Sequence, residues 1–140
     1  MKFWDASAII PLCVKESPSP RVRKIVEEDA AVVVWWTTPV ECASAFARRR
    51  RDNILTRAQE DQARQTVLRL AAEWTEVQPS QQVREAAGRL LLLHPFRAAD
   101  ALQLGGALVW TDGRGTGHEF VCLDDRLREA AQREGFQVLP

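Results

Sequence analysis

Four acidic residues stand where a carboxylate is unusual, because each lies in or beside an apolar segment that is otherwise poor in carboxylates. They are Asp5, Glu41, Asp100 and Asp124. Asp5 is the only acid among the first fifteen residues. Asp100 is the only acid between Glu85 and Asp112. A carboxylate in an apolar setting costs free energy unless it is paired, hydrogen-bonded or coordinated to a cation. A shared divalent cation would account for these placements together, since Mg²⁺ and Mn²⁺ prefer carboxylate oxygens as ligands.

Asp5 and Glu41 also have structural explanations that need no metal. Asp5 precedes a predicted helix, and an Asp at such a turn commonly accepts hydrogen bonds from the free backbone amides of the first turn. Glu41 stands three residues after Thr38, a spacing that matches the capping box in which Glu reaches back to the amide of the cap. The residues alone leave the metal and the capping explanations open for both acids.

Asp100 and Asp124 have comparable alternatives. Arg97 lies one helical turn before Asp100, so the two side chains could form an ion pair. Asp124 and Asp125 both suit the N-cap of the last predicted helix. We favour a ligand role for Asp100, because apolar residues surround it, and for Asp124, because it ends a predicted strand.

Apolar runs alternate with helical spacing along the chain, and this alternation decides where the acids can meet. The predicted strands are 2–5, 31–36, 120–124 and 136–140. The predicted helices are 7–16, 21–28, 38–51, 56–74, 80–93, 97–110 and 125–134. Thr38 is the expected N-cap of the third helix, with Pro39 in its first position, and the 56–74 helix is expected to be one arm of a helical hairpin. The alternation predicts an α/β fold, a three-layer α/β/α sandwich with a central parallel sheet.

The same pattern predicts where a ligand would bind. Parallel sheets collect ligands at the carboxyl ends of their strands, and Asp5 and Asp124 both fall at such ends. We therefore expect two acids that are distant in sequence to lie at one edge of the sheet.

Composition is that of an ordinary globular protein. The 140 residues fit one domain over 1–140, with 46% hydrophobic residues and no segment apolar enough to span a membrane. The N-terminal apolar run lacks the pattern of a secretory leader, so a cytoplasmic location is expected. Cys13, Cys42 and Cys122 are odd in number and lie in apolar surroundings, which predicts buried free thiols.

Basic residues balance the acids, so the net charge of zero does not by itself indicate a nucleic-acid ligand. Four arginines run from Arg48 to Arg51, and others, including Arg97, accumulate in the second half of the chain. On a helix, successive side chains point about 100° apart, so the four cannot face one ligand and most are expected on a solvated surface. A minority could hold phosphates at the rim of an acidic cleft.

Four segments in order resemble a known family. They are DASAIIPLCVKE, TTPVECASAFARRR, HPFRAADALQLGGALV and FVCLDDRLREAAQREGFQVLP. The chain resembles a PIN-domain protein of the VapC type, a toxin ribonuclease of a type II toxin–antitoxin system, and the resemblance runs nearly end to end. It implies a PIN-like α/β/α sandwich, Mg²⁺ or Mn²⁺ bound in an acidic cleft, endonucleolytic cleavage of RNA, an antitoxin partner and a homodimer.

The resemblance assigns roles by position. The catalytic and metal-binding acids would be Asp5, Glu41, Asp100 and Asp124. Ser7 would supply the hydroxyl that supports them, and Arg48 and Arg97 are the candidates for RNA contact. The family often has Thr two positions before the last acid, whereas this chain has Cys122. That departure removes a good hydrogen-bond donor, so Asp125 is a candidate to assist or replace Asp124.

Two other functions fit parts of the sequence. A catalytically inactive PIN-fold module could use the acidic cleft to hold a basic peptide from a partner. A phosphotransfer enzyme could use Asp5 as a covalent nucleophile, although such enzymes usually carry a second Asp two residues later, where this chain has Ser7.

Overall fold

Five parallel strands form the centre of the protein in the computed structural model, which describes residues 1–140. They are β1 (Lys2–Trp4), β2 (Val32–Trp35), β3 (Thr75–Val77), β4 (Glu119–Val121) and β5 (Gln137–Leu139). The strand order is β3-β2-β1-β4-β5, and every neighbouring pair is parallel. All the carboxyl ends of the strands therefore lie along one edge of the sheet.

Seven helices connect and cover the strands. They are α1 (Ala6–Cys13), α2 (Ser19–Glu28), α3 (Thr38–Arg51), α4 (Arg57–Ala71), α5 (Gln81–Leu93), α6 (Ala98–Trp110) and α7 (Asp125–Arg133). Successive strand residues point to opposite faces of a sheet. Accordingly, Phe3 and Val33 belong to a core shared with α5, α6 and α7, whereas Trp4 and Val34 belong to a core shared with α1 to α4. Helices cover both faces, which confirms the predicted three-layer sandwich.

The predicted helix 56–74 is too long. Helix α4 ends at Ala71, and Thr75–Val77 form the edge strand β3, whose register pairs Val33 with Thr75. Three residues at an edge carry no continuous apolar run, so the strand gave no signal of its own in the sequence. The expected hairpin is present as α3 and α4, which the ion pair between Arg50 Nε and Glu60 Oε1 (3.4 Å) helps to join.

The N-cap of α3 is Thr37, not Thr38 as expected. Thr38 is the first residue of the helix and is completely buried. The one-residue shift moves Glu41 out of the capping-box position, so its side chain is free for other contacts.

All three cysteines are free thiols, as predicted. Cys42 and Cys122 are buried and Cys13 is half-buried. Burial raises the pKa of the Cys13 thiol to about 12, and it also raises the pKa values of the other two, so all three stay protonated at neutral pH. None of the seven helices has both the length and the apolar composition that are needed to span a bilayer.

Gly115 lies in the glycine-rich loop before β4 and packs directly against the end of α7. A Cβ atom at this position would lie 2.5 Å from the carbonyl oxygen of Glu134 and 2.7 Å from Cδ2 of Phe136. The loop therefore serves close packing.

We expect Gly115→Ala to lower the free energy of unfolding by about 1–3 kcal/mol, because the added methyl group has no space. Gly88→Ala is the matched control. Nothing lies within 4 Å of the corresponding Cβ in α5, so this change should stabilise the helix by about 0.5–1 kcal/mol. Urea denaturation of both variants measures the difference, and equal stability of the two would contradict the packing described here.

Candidate functional site: an acidic crevice at the carboxyl edge of the sheet

The crevice lies where the direction of the strand order reverses. From β1 the chain continues to β2 on one side, whereas β4 pairs with the other side of β1. Asp5 follows β1 and Asp124 comes shortly after β4. The amide of Asp5 donates to the carbonyl oxygen of Val121 at 3.0 Å, which joins the ends of the two strands. Ligands of open parallel sheets bind at such a reversal point, outside the carboxyl ends of the strands.

Asp5 is the buried acid of the crevice, with 5% of its surface exposed. Its Oδ2 accepts a hydrogen bond from the amide of Ser7 (3.0 Å), as the N-cap of α1, and a longer one from the thiol of Cys122 (3.6 Å). These contacts engage only Oδ2. Burial raises the pKa of Asp5, the hydrogen bonds from Ser7 and Cys122 oppose the rise, and the nearby charge of Asp124 adds to it.

Ser7 and Cys122 connect α1 to the segment that carries Asp124. The hydroxyl oxygen of Ser7 accepts from the amide of Leu123 (2.9 Å) and lies 3.6 Å from Cys122 Sγ. The thiol faces Oδ2 of Asp5 and the carbonyl oxygen of Asp124, each at 3.6 Å, and not the Asp124 carboxylate. Cys122 thus contacts the first acid of the set, and the orientation of the Asp124 side chain does not depend on it.

Glu41 is held by two donors on the same oxygen. Its Oε1 accepts from the hydroxyl of Thr37 (2.7 Å) and from Nε2 of Gln103 (3.0 Å). The capping box with Thr38 is not formed. Burial raises the pKa of Glu41, the bonds from Thr37 and Gln103 oppose this, and the charges of Asp5 and Asp100 raise it further.

The remaining acids each cap a helix. Asp100 Oδ2 accepts from the amide of Arg97 (3.1 Å) at the start of α6, and the side chains of these two residues form no ion pair. Asp124 Oδ1 accepts from the amide of Leu127 (3.0 Å) as the N-cap of α7, and its side chain is exposed. Asp125 is exposed in the first turn of α7, where its carboxylate makes no hydrogen bond.

The four acids influence one another electrostatically in a continuous series. The negative charge of Asp124 raises the pKa of Asp5. The charges of Asp5 and Asp100 in turn raise the pKa of Glu41. Burial raises the pKa values of Asp5 and Glu41 more than the repulsion from neighbouring acids does. The structure contains no group of three or more His, Cys, Asp or Glu side chains that could hold a metal ion. The acids are therefore neighbours without forming a closed set of ligands.

The chemistry of the donors nevertheless fits a small divalent cation. Each carboxylate directs its hydrogen bonds to one oxygen, which leaves the other oxygen without a partner. Mg²⁺ keeps several of its waters and is usually bound by one or two carboxylates. A pair of these acids with bridging waters would meet that requirement without a cage of protein ligands.

Thr37 and Gln103 are contacts of the site that the sequence interpretation missed. Gln103 is the only polar residue between Asp100 and Thr111, and it is 1% exposed. That isolated amide in an apolar helix was a signal of the same kind as the isolated acids. Thr37 gave no such signal, because it is one of two adjacent threonines and either could cap α3.

The arginines of the run from Arg48 to Arg51 differ in their partners, as expected for successive residues of a helix. Arg49 Nε contacts Glu16 Oε1 at 2.6 Å, and Arg50 pairs with Glu60. Arg48 is exposed and makes no ion pair, and the same is true of Arg97 at the start of α6. Their side chains are available to a ligand, and their role in RNA binding stays a prediction.

Asp5→Asn should stabilise the metal-free protein at pH 7. Because burial raises the carboxyl pKa of Asp5 above its ordinary value of 3.8, the folded state holds this proton over a pH range in which the unfolded state has lost it. Wild-type stability therefore falls as pH rises through that range. We therefore expect Asn at this position to make the metal-free protein more stable than Asp does at pH 7.

The gain should shrink as pH falls toward 4, because the unfolded state, in which the Asp5 carboxyl has its ordinary pKa of 3.8, then begins to bind the proton as well. Chemical denaturation from pH 4 to pH 7 in the presence of chelator measures the effect, and the exposed Asp125→Asn is the control. A variant less stable than wild type at pH 7 would show that ionisation of Asp5 does not destabilise the folded protein.

Comparisons with known proteins identify the fold. No protein-family model matches the chain, and no curated protein matches its sequence. Among solved structures, VapC20 of Mycobacterium tuberculosis, described as a sarcin–ricin loop cleaving toxin, matches with a TM-score of 0.71 and 15% identity. The match covers 100% of both chains. The chain shares the fold of VapC20.

FitAcB from Neisseria gonorrhoeae supports the same conclusion, with a TM-score of 0.67 and 16% identity over 100% of this chain and 97% of that one. The predicted PIN-like sandwich is thereby confirmed. The identities are so low that the likeness concerns the fold, and the chemistry has to be argued from the residues of the crevice.

Proposed function

We propose that this protein is an endoribonuclease that depends on Mg²⁺ or Mn²⁺ and acts as the toxin of a toxin–antitoxin pair. The observation that carries the proposal is Asp5, a buried carboxylate at the reversal point of the sheet with acids on both sides. A fold shared with VapC20, a toxin that cleaves RNA, supports the choice of substrate.

Asp5, Glu41, Asp100 and Asp124 are the residues that would hold the metal, directly or through water. When bound, the metal would help to generate the attacking water and would offset negative charge on the scissile phosphate. It would also relieve the cost of keeping Asp5 ionised while buried, because a cation favours the charged form of a neighbouring carboxyl.

Glu41 suits proton transfer as well as metal binding. Its Oε1 is occupied by Thr37 and Gln103, so Oε2 is the atom that could accept a proton from the attacking water. A general base works best when its pKa lies near the working pH, and burial moves the pKa of Glu41 in that direction. Ser7 holds the backbone at Leu123 and thereby keeps the ends of β1 and β4 together.

RNA would be held at the rim of the crevice by cationic side chains. Arg48 and Arg97 are exposed and free of ion pairs, so their guanidinium groups can contact phosphates. With a net charge of zero, the protein would depend on such local groups and not on a general positive field.

An antitoxin and a second copy of the chain are the proposed protein partners. At the end of α5 three leucines are exposed, and exposed apolar side chains of this size can take part in a protein interface; Leu91, Leu92 and Leu93 are 45%, 87% and 57% exposed. Light scattering on the purified chain distinguishes a monomer from a dimer. A monomer at all concentrations would remove the homodimer from the proposal.

The rival function is a binding module that keeps the fold without the catalysis. It is favoured by the local hydrogen bonds of the acids and by the absence of a ready set of three ligands. In that case the crevice would hold Lys or Arg side chains of a partner.

Cleavage of RNA by the purified protein separates the two functions. Structured and unstructured RNA are incubated with Mn²⁺ or with EDTA. The nuclease should produce discrete fragments only with the metal, whereas the binding module should leave every RNA intact in both buffers.

A further inference from the structure

Gln103 of α6 places a side-chain amide in the apolar core of the protein. Its neighbours Ala101 and Leu104 are fully buried, and Gln103 itself is 1% exposed. Nε2 donates to Oγ1 of Thr38 at 3.2 Å and to Oε1 of Glu41 at 3.0 Å. Both acceptors lie in the first turn of α3, so one side chain of α6 holds the start of another helix.

Packing alone does not explain why this residue is Gln. Its Oε1 is sealed from water and has no hydrogen-bond partner. An orphaned buried acceptor costs free energy of unfolding, and an apolar side chain of the same length would fill the space without that cost. What Gln contributes, and Leu or Met could not, is the pair of N–H donors directed at α3.

Two donors from different parts of the chain fix the Glu41 carboxylate. Thr37, which precedes α3, and Gln103 of α6 both donate to Oε1. A carboxylate held at one oxygen by two donors from different elements has a defined plane, so Oε2 has a defined direction. Asp100 lies one turn before Gln103 on α6, and its charge acts on Glu41. The same helix therefore supplies one acid and orients another.

We infer that Gln103 is a positioning residue, which orients Glu41 so that its second oxygen can take part in binding the divalent metal. The inference rests on the proposed function and deepens it. Groups that orient a metal ligand typically change metal affinity or activity by about 10–100-fold when they are removed.

Titration calorimetry with Mn²⁺ alone tests the inference without RNA cleavage. Gln103→Met keeps the length and removes both donors, and we expect Mn²⁺ to bind about 10-fold more weakly or worse. Thr38→Val is the matched control, because it removes the other acceptor of Nε2 and leaves the contact with Glu41. Its Mn²⁺ affinity should stay within about threefold of wild type if Gln103 acts through Glu41.

A double-mutant cycle provides the second readout. In a Glu41→Gln background, Gln103→Met should weaken Mn²⁺ binding by less than about twofold further, because the group that it orients is already lost. If Gln103→Met does not fold, Gln103→Asn keeps the amide but withdraws it by one methylene, and the same loss is expected.

Wild-type affinity in a folded Gln103 variant, an equal loss in Thr38→Val, or full additivity with Glu41→Gln would each overturn the inference while leaving the nuclease proposal intact. Absence of Mn²⁺ binding by wild type would instead overturn the proposed metal site, and the positioning role would fall with it.

Discussion

Asp5→Asn should lose RNA cleavage by about 100-fold or more, because orienting groups around a metal already account for 10–100-fold and Asp5 is proposed as a ligand itself. Asn has nearly the same shape and still accepts the hydrogen bond from the Ser7 amide, so the loss would report the charge and not the fold. Initial rates on one RNA at saturating Mn²⁺ measure the effect.

Asp125→Asn is the control for this experiment. Asp125 is an acid of the same type next to Asp124, but it is exposed and its carboxylate makes no hydrogen bond. Its removal should leave the rate within a few fold of wild type. Cleavage by Asp5→Asn at the wild-type rate would mean that the activity comes from another site or from a contaminating nuclease. A large loss in Asp125→Asn would instead assign it the assisting role that its sequence position allows.

Mn²⁺ should raise the unfolding temperature of the wild-type protein. A ligand at 100 times its dissociation constant stabilises the folded state by about 2.7 kcal/mol. For a chain of this size that corresponds to roughly 5–10 °C. A bound cation would also offset the repulsion in the metal-free protein, in which the buried Asp5 and the half-buried Glu41 lie close to other acids.

Asp100→Asn should reduce the shift, because it removes one of the proposed ligands and leaves an oxygen that can still accept from the Arg97 amide. Scanning fluorimetry across a range of Mn²⁺ concentrations gives the comparison, with Ser44→Ala, an exposed change on α3, as a neutral reference. No shift in wild type, or an equal shift in Asp100→Asn, would count against the site.

Stability and function oppose each other at Asp5. Burial makes the ionised carboxylate costly, so the metal-free protein would be more stable with Asn at this position. A buried ionisable side chain that lowers stability, and that lies at the reversal point of a parallel sheet, is typical of a functional site. This opposition is the physical reason for assigning chemistry to Asp5 and not a capping role alone, although its Oδ2 does cap α1.

The sequence predicted the sheet where its strands are continuous and apolar. The strand at Val32–Trp35 is buried along its whole length, and an apolar run of that kind is visible without a structure. The strand at Thr75–Val77 is not, because it lies at the edge and only its pairing with β2 defines it. Thr75–Val77 holds a single apolar residue, so this strand depends on tertiary contacts that the local sequence does not encode, whereas the other edge strand, β5, was predicted.

Asp5, Glu41 and Asp100 were visible in the sequence because each is isolated among mainly apolar residues, and Asp124 because it ends a predicted strand. Their exact contacts were not. The N-cap of α3 differs from the expected residue by one position, and this shift decides whether Glu41 caps the helix or faces Gln103. Which of two adjacent threonines begins a helix is set by packing, since both have suitable hydroxyl groups.

Diffraction from crystals soaked in Mn²⁺, recorded for the anomalous signal of manganese, tests most directly whether these carboxylates share a cation. We predict a peak in the crevice between the ends of β1 and β4, with oxygens of Asp5 and at least one other of the four acids bound directly or through water. A Mn²⁺ soak with no peak there, and with Asp5, Asp100 and Asp124 making only the hydrogen bonds of the metal-free protein, would contradict the account.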